Sequence, residues 1–223
     1  MGNRDKEREL NSHWQYRSFI GLGFLFAIAV SPAQAASPSF DCAKAESSAE
    51  KLVCSDEQLA ALDRETARLY GLAVKGPQVS GERKNHLKAY QRGWIKGRDE
   101  CWKAPDKRAC VRDSYAIRIY ELRQGYADAR SQDAKGISKG LLALECDGFD
   151  AGIGIAFISS DPSVAALGWK DQKIALEQVV SASGTKYAGK SFDGSYNLST
   201  KGNEATFEMP EGKSFKCQIQ TGG

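Results

Sequence analysis

Residues 131–140 read Ser-Gln-Asp-Ala-Lys-Gly-Ile-Ser-Lys-Gly, and the spacing of apolar residues changes across them. On the N-terminal side the period is helical. Leu59, Leu62, Thr66, Leu69 and Ala73 share one face, introduced by a capping-box start at Ser55-Asp56-Glu57-Gln58. A second helix is predicted from about 81 to 101 with Leu87, Tyr90, Trp94 and Ile95 inward, and a third from about 107 to 130 with Val111, Tyr115, Ile119 and Leu122 inward. On the C-terminal side the period is two. Leu142, Leu144 and Cys146 alternate, as do Ile153, Ile155 and Phe157; Ile174 and Leu176; Ala205 and Phe207; and Phe215, Cys217 and Ile219. Short strands separated by Gly, Asp, Asn and Pro indicate an antiparallel sandwich or a small barrel. The fold class is therefore α+β in two domains, helical over 36–130 and β over 141–223, with the polar, glycine-containing stretch 131–140 as linker.

The rest of the composition narrows the function classes. Of 223 residues, 41% are apolar and 26% charged, which is the globular range. The net charge is +3, from 31 basic against 28 acidic residues. That balance gives no concentrated basic character, so no nucleic-acid partner is expected. With only His13 and His86 available, a histidine-rich metal site has little to draw on. No Cys or Ser nucleophile comes with a histidine partner, so a hydrolase is opposed and no catalytic residue is assigned. No cofactor motif is present either.

The first 35 residues have the layout of a secretory signal peptide. A polar segment ends at Arg17, an apolar run covers Phe19 to Val30, and Ser31-Pro32-Ala33-Gln34-Ala35 supplies a small-residue cleavage site. A run of twelve residues, ten apolar and two glycine, falls short of the roughly 20 needed to span a bilayer. Export to the periplasm with cleavage after Ala35 follows, leaving no stable membrane anchor. An oxidising compartment makes the even cysteine count a disulfide framework. The division into halves suggests the pairs Cys42–Cys54, Cys101–Cys110 and Cys146–Cys217. The intervening lengths in the helical half do not fit zinc-ligand spacing, and no metal is expected.

Two short motifs in the β half carry the functional signal. Ser183-Gly184-Thr185-Lys186-Tyr187 and Tyr196-Asn197-Leu198-Ser199-Thr200-Lys201-Gly202 are bland separately, reading as hairpin ends. In this order, between two cysteines, they match S-G-x-x-Y and Y-x-x-x-T-K-G. The half they occupy resembles the MliC/PliC family, bacterial inhibitors of c-type lysozyme. The stretch between the motifs, Lys190 to Ser195, departs from the aromatic-rich strand more usual there. The resemblance implies an eight-stranded antiparallel barrel that inserts loops into the lysozyme cleft, with Ser183 and Lys201 reaching the catalytic carboxylates. Gly184, Tyr187, Tyr196, Thr200 and Gly202 would support those loops.

The helical half has a resemblance of its own. Asp41-Cys42-Ala43-Lys44, Glu50-Lys51-Leu52-Val53-Cys54, Leu59-Ala60-Ala61-Leu62-Asp63, Gln91-Arg92-Gly93-Trp94, Arg98-Asp99-Glu100-Cys101 and Cys110 form a linked pattern. That pattern is similar to the LprI N-terminal domain family. Trp94, Arg98 and Asp99 form either a binding face or a core position with a local ion pair. The leading function is thus an exported inhibitor of c-type lysozyme; the alternative is a non-inhibitory periplasmic module that binds peptidoglycan or an envelope protein.

Overall fold

The structure, a computed structural model, describes residues 37–77, 79–130 and 136–220. The segment read as a signal peptide lies outside the described residues. The N-terminal half is α1 (Ser48–Ser55), α2 (Glu57–Lys75), α3 (Gly81–Asp99), α4 (Lys107–Gly125) and α5 (Ala127–Arg130). The strands are β1 (Ser138–Cys146), β2 (Ile153–Ile158), β3 (Val164–Trp169), β4 (Gln172–Val179), β5 (Thr185–Ser191), β6 (Gly194–Lys201), β7 (Glu204–Met209) and β8 (Lys213–Gln220). They close in sequence order into an antiparallel barrel, with β1 paired to β8.

Local chemistry accounts for the helix ends. The capping box lies one helix earlier than the sequence reading put it. At α1, Ser47 accepts from the Glu50 N–H, and the Glu50 side chain accepts from the Ser47 N–H. The cap of α2 is Asp56, whose carboxylate accepts from the Leu59 N–H. Ser55 instead ends α1 and donates to the Leu52 carbonyl. Cys42–Cys54, Cys101–Cys110 and Cys146–Cys217 are all bonded, as the half-by-half pairing expected. The last joins facing residues of β1 and β8 and so pins the seam of the barrel.

Alternation puts Leu144, Ile155, Leu167, Leu176, Leu198 and Phe207 inside the barrel. Alternation in the sequence did not mark β3, β5 or β6, and of these β3 has no period at all. Its six residues are all buried, so alternation is lost. One face looks into the barrel and the other is covered by helix. Ala156, Ile158, Val164, Ala166 and Ala175 on the outer side of β2–β4 belong to the same apolar cluster as Leu62, Leu69, Tyr115 and Ile119 of α2 and α4. Burying an aliphatic side chain such as Ile158 or Val164 contributes roughly 1.5–3 kcal/mol, so the barrel wall and the helical layer stabilise each other.

The contact is close at two glycines. Gly154 and Gly168 face each other on β2 and β3, and Tyr120 of α4 lies on both. A Cβ at either position would come within 2.6 Å of the Tyr120 hydroxyl oxygen, and that hydroxyl donates to the Gly168 carbonyl at 3.3 Å. Polar bonds ring the apolar patch. Arg112 pairs with Glu177, Lys173 with Glu121, and Gln58 donates to the Pro162 carbonyl. Arg123, 1% exposed, donates to Ser138 Oγ and to the carbonyls of Ala129, Ser138 and Gly140. Glu65 accepts from Arg68 and from Ser138. Strand β1 therefore begins inside the stretch read as linker, and its first residue is bonded to α2 and α4.

Candidate functional site

The two motifs become neighbours through β5 and β6. Thr185 pairs with Thr200 in the ladder, so the Ser183-Gly184 end of one strand abuts the Lys201-Gly202 end of the other. Gly184 has φ +66°, a left-handed conformation, and its Cα faces the Thr200 carbonyl. An added Cβ would be 2.3 Å from that oxygen. Glycine is thus needed both for backbone angle and for space. Gly202 also has a positive φ, +62°, in the two-residue turn between β6 and β7, but nothing lies near its missing Cβ.

Ser183 and Lys201 are exposed, whereas Tyr187 and Tyr196 are buried in the barrel core. Tyr187 packs on Phe157, and Tyr196 on Trp169 and Phe207. The Tyr196 hydroxyl also donates to the Asp193 carboxylate. Burial, then that carboxylate, pushes its phenol up to about 12. Burial likewise raises Tyr187. Thr200 follows Leu198 on the inward side of β6 and is partly buried. The aromatic residues of the motifs therefore anchor the strands whose ends carry Ser183 and Lys201.

Outside the barrel these ends border a cleft of about 510 Å³ along β6, β7, β8 and β1. In the strand register Lys201 is opposite Glu204, Glu204 opposite Gln218, and Gln218 opposite Glu145. This outward row carries the polar rim of the cleft. Although Lys201 is opposite Glu204 in the ladder, none of the ion pairs among the described residues includes its ammonium. The Ser181 hydroxyl donates to the Ser183 carbonyl at 2.9 Å, and Ser183 itself is exposed. The helical layer packs on β1–β4, but the residues lining this cleft all come from the barrel half.

The three helical residues weighed as a binding face are packed instead. Arg98 is 4% exposed, forks onto Asp99 and donates to the Tyr115 hydroxyl, which in turn donates to Asp63. The Trp94 indole donates to the Ser114 carbonyl and meets Tyr115 edge-on. Burial raises the Tyr115 phenol far above its ordinary value, against the opposing pull of Arg98. Tyr90 and Ile95, read as inward, are exposed at 46% and 37%. Helix α3 rests on its neighbours along a narrower stripe than its apolar residues suggested. Among the described residues no group of His, Cys, Asp and Glu could hold a metal ion, and no helix is long and apolar enough to cross a membrane.

Comparison with known proteins assigns both halves. A family model described as membrane-bound lysozyme-inhibitor of c-type lysozyme matches residues 145–215, and one described as lysozyme inhibitor LprI matches residues 42–122. Lipoprotein LprI of Mycobacterium tuberculosis and its counterpart in Mycobacterium bovis are each 30% identical over 161 residues, 70% of this chain and 76% of theirs. The chain belongs to the LprI family. Both family models match where the sequence motifs placed them, and both are described as lysozyme inhibitors. No solved structure matches the chain.

Proposed function

We propose that this LprI-family chain is an exported, non-catalytic inhibitor of c-type lysozyme acting in the periplasm, and that its Ser183 and Lys201 loops enter the enzyme's cleft. The observation that carries this reading is the adjacency of the two exposed residues on strand ends anchored by buried Tyr187 and Tyr196, with Lys201 in no ion pair among the described residues. Lysozyme needs one protonated carboxylic acid and one carboxylate. An ammonium between them favours the ionised form of both and removes the proton the acid must donate. The Ser183 hydroxyl donates to one carboxylate oxygen.

A turbidity assay with c-type lysozyme and a cell-wall substrate tests this. In a cleft from which water is displaced, removing one member of a charge pair costs roughly 2–5 kcal/mol. Lys201→Ala should therefore weaken inhibition by about 30-fold or more. Ser183→Ala should cost less, since one hydrogen bond to a charged group contributes about 1.5–3 kcal/mol. Lys186→Ala and Lys190→Ala, a few residues away, should change little. Undiminished inhibition by a folded Lys201→Ala variant would remove the insertion mechanism.

A further inference from the structure

The +3 net charge of the chain conceals a local concentration of positive charge on α3. Lys84, Lys88, Arg92 and Lys96 recur every fourth residue along this helix. At 1.5 Å rise per residue they form a ladder with steps of about 6 Å and a span of about 18 Å. Lys88, Arg92 and Lys96 are exposed and Lys84 partly so. None of the four is in an ion pair among the described residues. By contrast, five arginines of the helical half sit on carboxylates: Arg68 on Glu65, Arg98 on Asp99, Arg108 on Asp56, Arg112 on Glu177 and Arg118 on Glu121. The α3 sequence offers Glu82 and Asp99 as its only acids, and Asp99 is taken by Arg98.

The helix would be more stable without this arrangement. Like charges at i,i+4 each destabilise a helix by about 0.2–0.5 kcal/mol. Lys84 lies in the first turn, where the helix dipole disfavours a cation. Gly93 and Gly97, in the open flank of the same helix, each cost about 1 kcal/mol relative to Ala. Packing does not explain the pattern, since only Leu87 and Arg98 of α3 are buried. The main contacts of α3 are with α4, α1 and the turn that follows it, and no barrel strand is among them.

We propose that this face docks a linear polyanion, a flexible polymer carrying phosphate groups along its backbone, while the barrel cleft stays available to lysozyme. Charge complementarity and shape select that partner. The four cations drift by about 40° per step around the helix, so they trace a winding row that a flexible chain can follow. A membrane surface is a poorer fit: interfacial helices present a broad apolar face, and on this side α3 presents only Ile95. The inference does not depend on lysozyme inhibition.

The test uses the full chain without its first 35 residues and fluorescently labelled long-chain inorganic polyphosphate, titrated at several salt concentrations. Four neutralised phosphates release about 0.7 counterion each, so affinity should fall roughly fifty-fold between 50 and 200 mM salt. The variant carrying Lys84→Gln, Lys88→Gln, Arg92→Gln and Lys96→Gln should lose most of the binding and flatten the logarithmic salt slope by about 3. A control removes the same charge elsewhere through Lys44→Gln, Lys170→Gln, Lys190→Gln and Lys213→Gln, and should bind nearly as the parent does. Circular dichroism confirms that both variants fold. The proposal is overturned if polyphosphate does not bind, if the control loses as much as the ladder variant, or if phosphatidylglycerol vesicles or peptidoglycan sacculi bind more tightly than the polymer at equal anion concentration.

Discussion

Replacing Gly184 separates the position of the Ser183 loop from its composition. Two effects follow from the geometry. The left-handed backbone, φ +66°, costs a residue with a Cβ about 1–2 kcal/mol. Asparagine tolerates that conformation better than alanine does. The second effect is steric and independent of residue preference: a Cβ at 2.3 Å from the Thr200 carbonyl oxygen must retreat by about 1 Å to reach an ordinary C···O separation. That movement opens the β5–β6 junction and carries Ser183 away from Lys201. Strain lowers the stability of the free protein whether or not lysozyme is present; only the displacement reaches the affinity. Gly202 provides the comparison, since it shares the backbone angle, φ +62°, with open space at its Cβ. Gly202→Asn should therefore inhibit within about threefold of the parent. Gly184→Asn should lose the serine contact and weaken inhibition by tenfold or more, as a hydrogen bond to a charged group is worth about 1.5–3 kcal/mol. Inhibition constants from the turbidity assay, beside thermal melts of both variants, distinguish the two effects. Equal inhibition by the two variants would refute the coupling of the loops through Thr200.

Three further outcomes concern the frame that carries the loops. Glu65 is deeply buried; burial alone would raise its carboxyl, but hydrogen bonds from Arg68 and Ser138 and the nearby guanidinium charges outweigh that and hold it below the usual range. A lowered carboxyl stabilises the fold above its unfolded pKa and loses that contribution as pH falls. Glu65→Gln should thus lower the melting temperature at pH 7 by the equivalent of about 3–5 kcal/mol, the cost of breaking a buried pair, and the gap to the parent should narrow on acidification below the unfolded carboxyl range; a gap constant from pH 7 to pH 3 would contradict the charge argument. Thiol titration of the denatured, unreduced chain should detect no free thiol, and replacing both Cys146 and Cys217 by serine should destabilise by up to about 4 kcal/mol in a denaturant titration. The isolated fragment 141–223 should inhibit under oxidising conditions but unfold at lower denaturant concentration than the full chain, because it uncovers Ala156, Ile158, Val164, Ala166 and Ala175 and lacks Ser138 with its bonds to Glu65 and Arg123.

Much of this protein was written in local pattern. The stripe Leu59, Leu62, Leu69 and Ala73 is helical because residues three and four apart share a face, and all four are buried. The switch to alternation after residue 140 announced strands for the converse reason, and the half-by-half placement of the cysteines announced their pairing. The two loop motifs were also legible, although only as a resemblance, since Ser-Gly and Lys-Gly carry no chemistry that composition or spacing reveals.

What the tertiary structure decided is where one pattern meets another. Val164–Trp169 has no alternation because the barrel buries one face of β3 and α4 the other, and a segment buried on both sides has no period to read. Gly154 and Gly168 carry no signal in the sequence; in the fold they are the bed on which Tyr120 lies. Tyr90 and Ile95 keep helical spacing yet stay exposed, because α3 meets its neighbours along a stripe too narrow to reach them. The cation ladder on the same helix vanished into a whole-chain net charge, which sums over the molecule what Coulomb forces resolve over a few ångströms. Local periodicity specifies each element from its own residues, but burial on a second face depends on a partner distant in the chain, and only the folded contact supplies it.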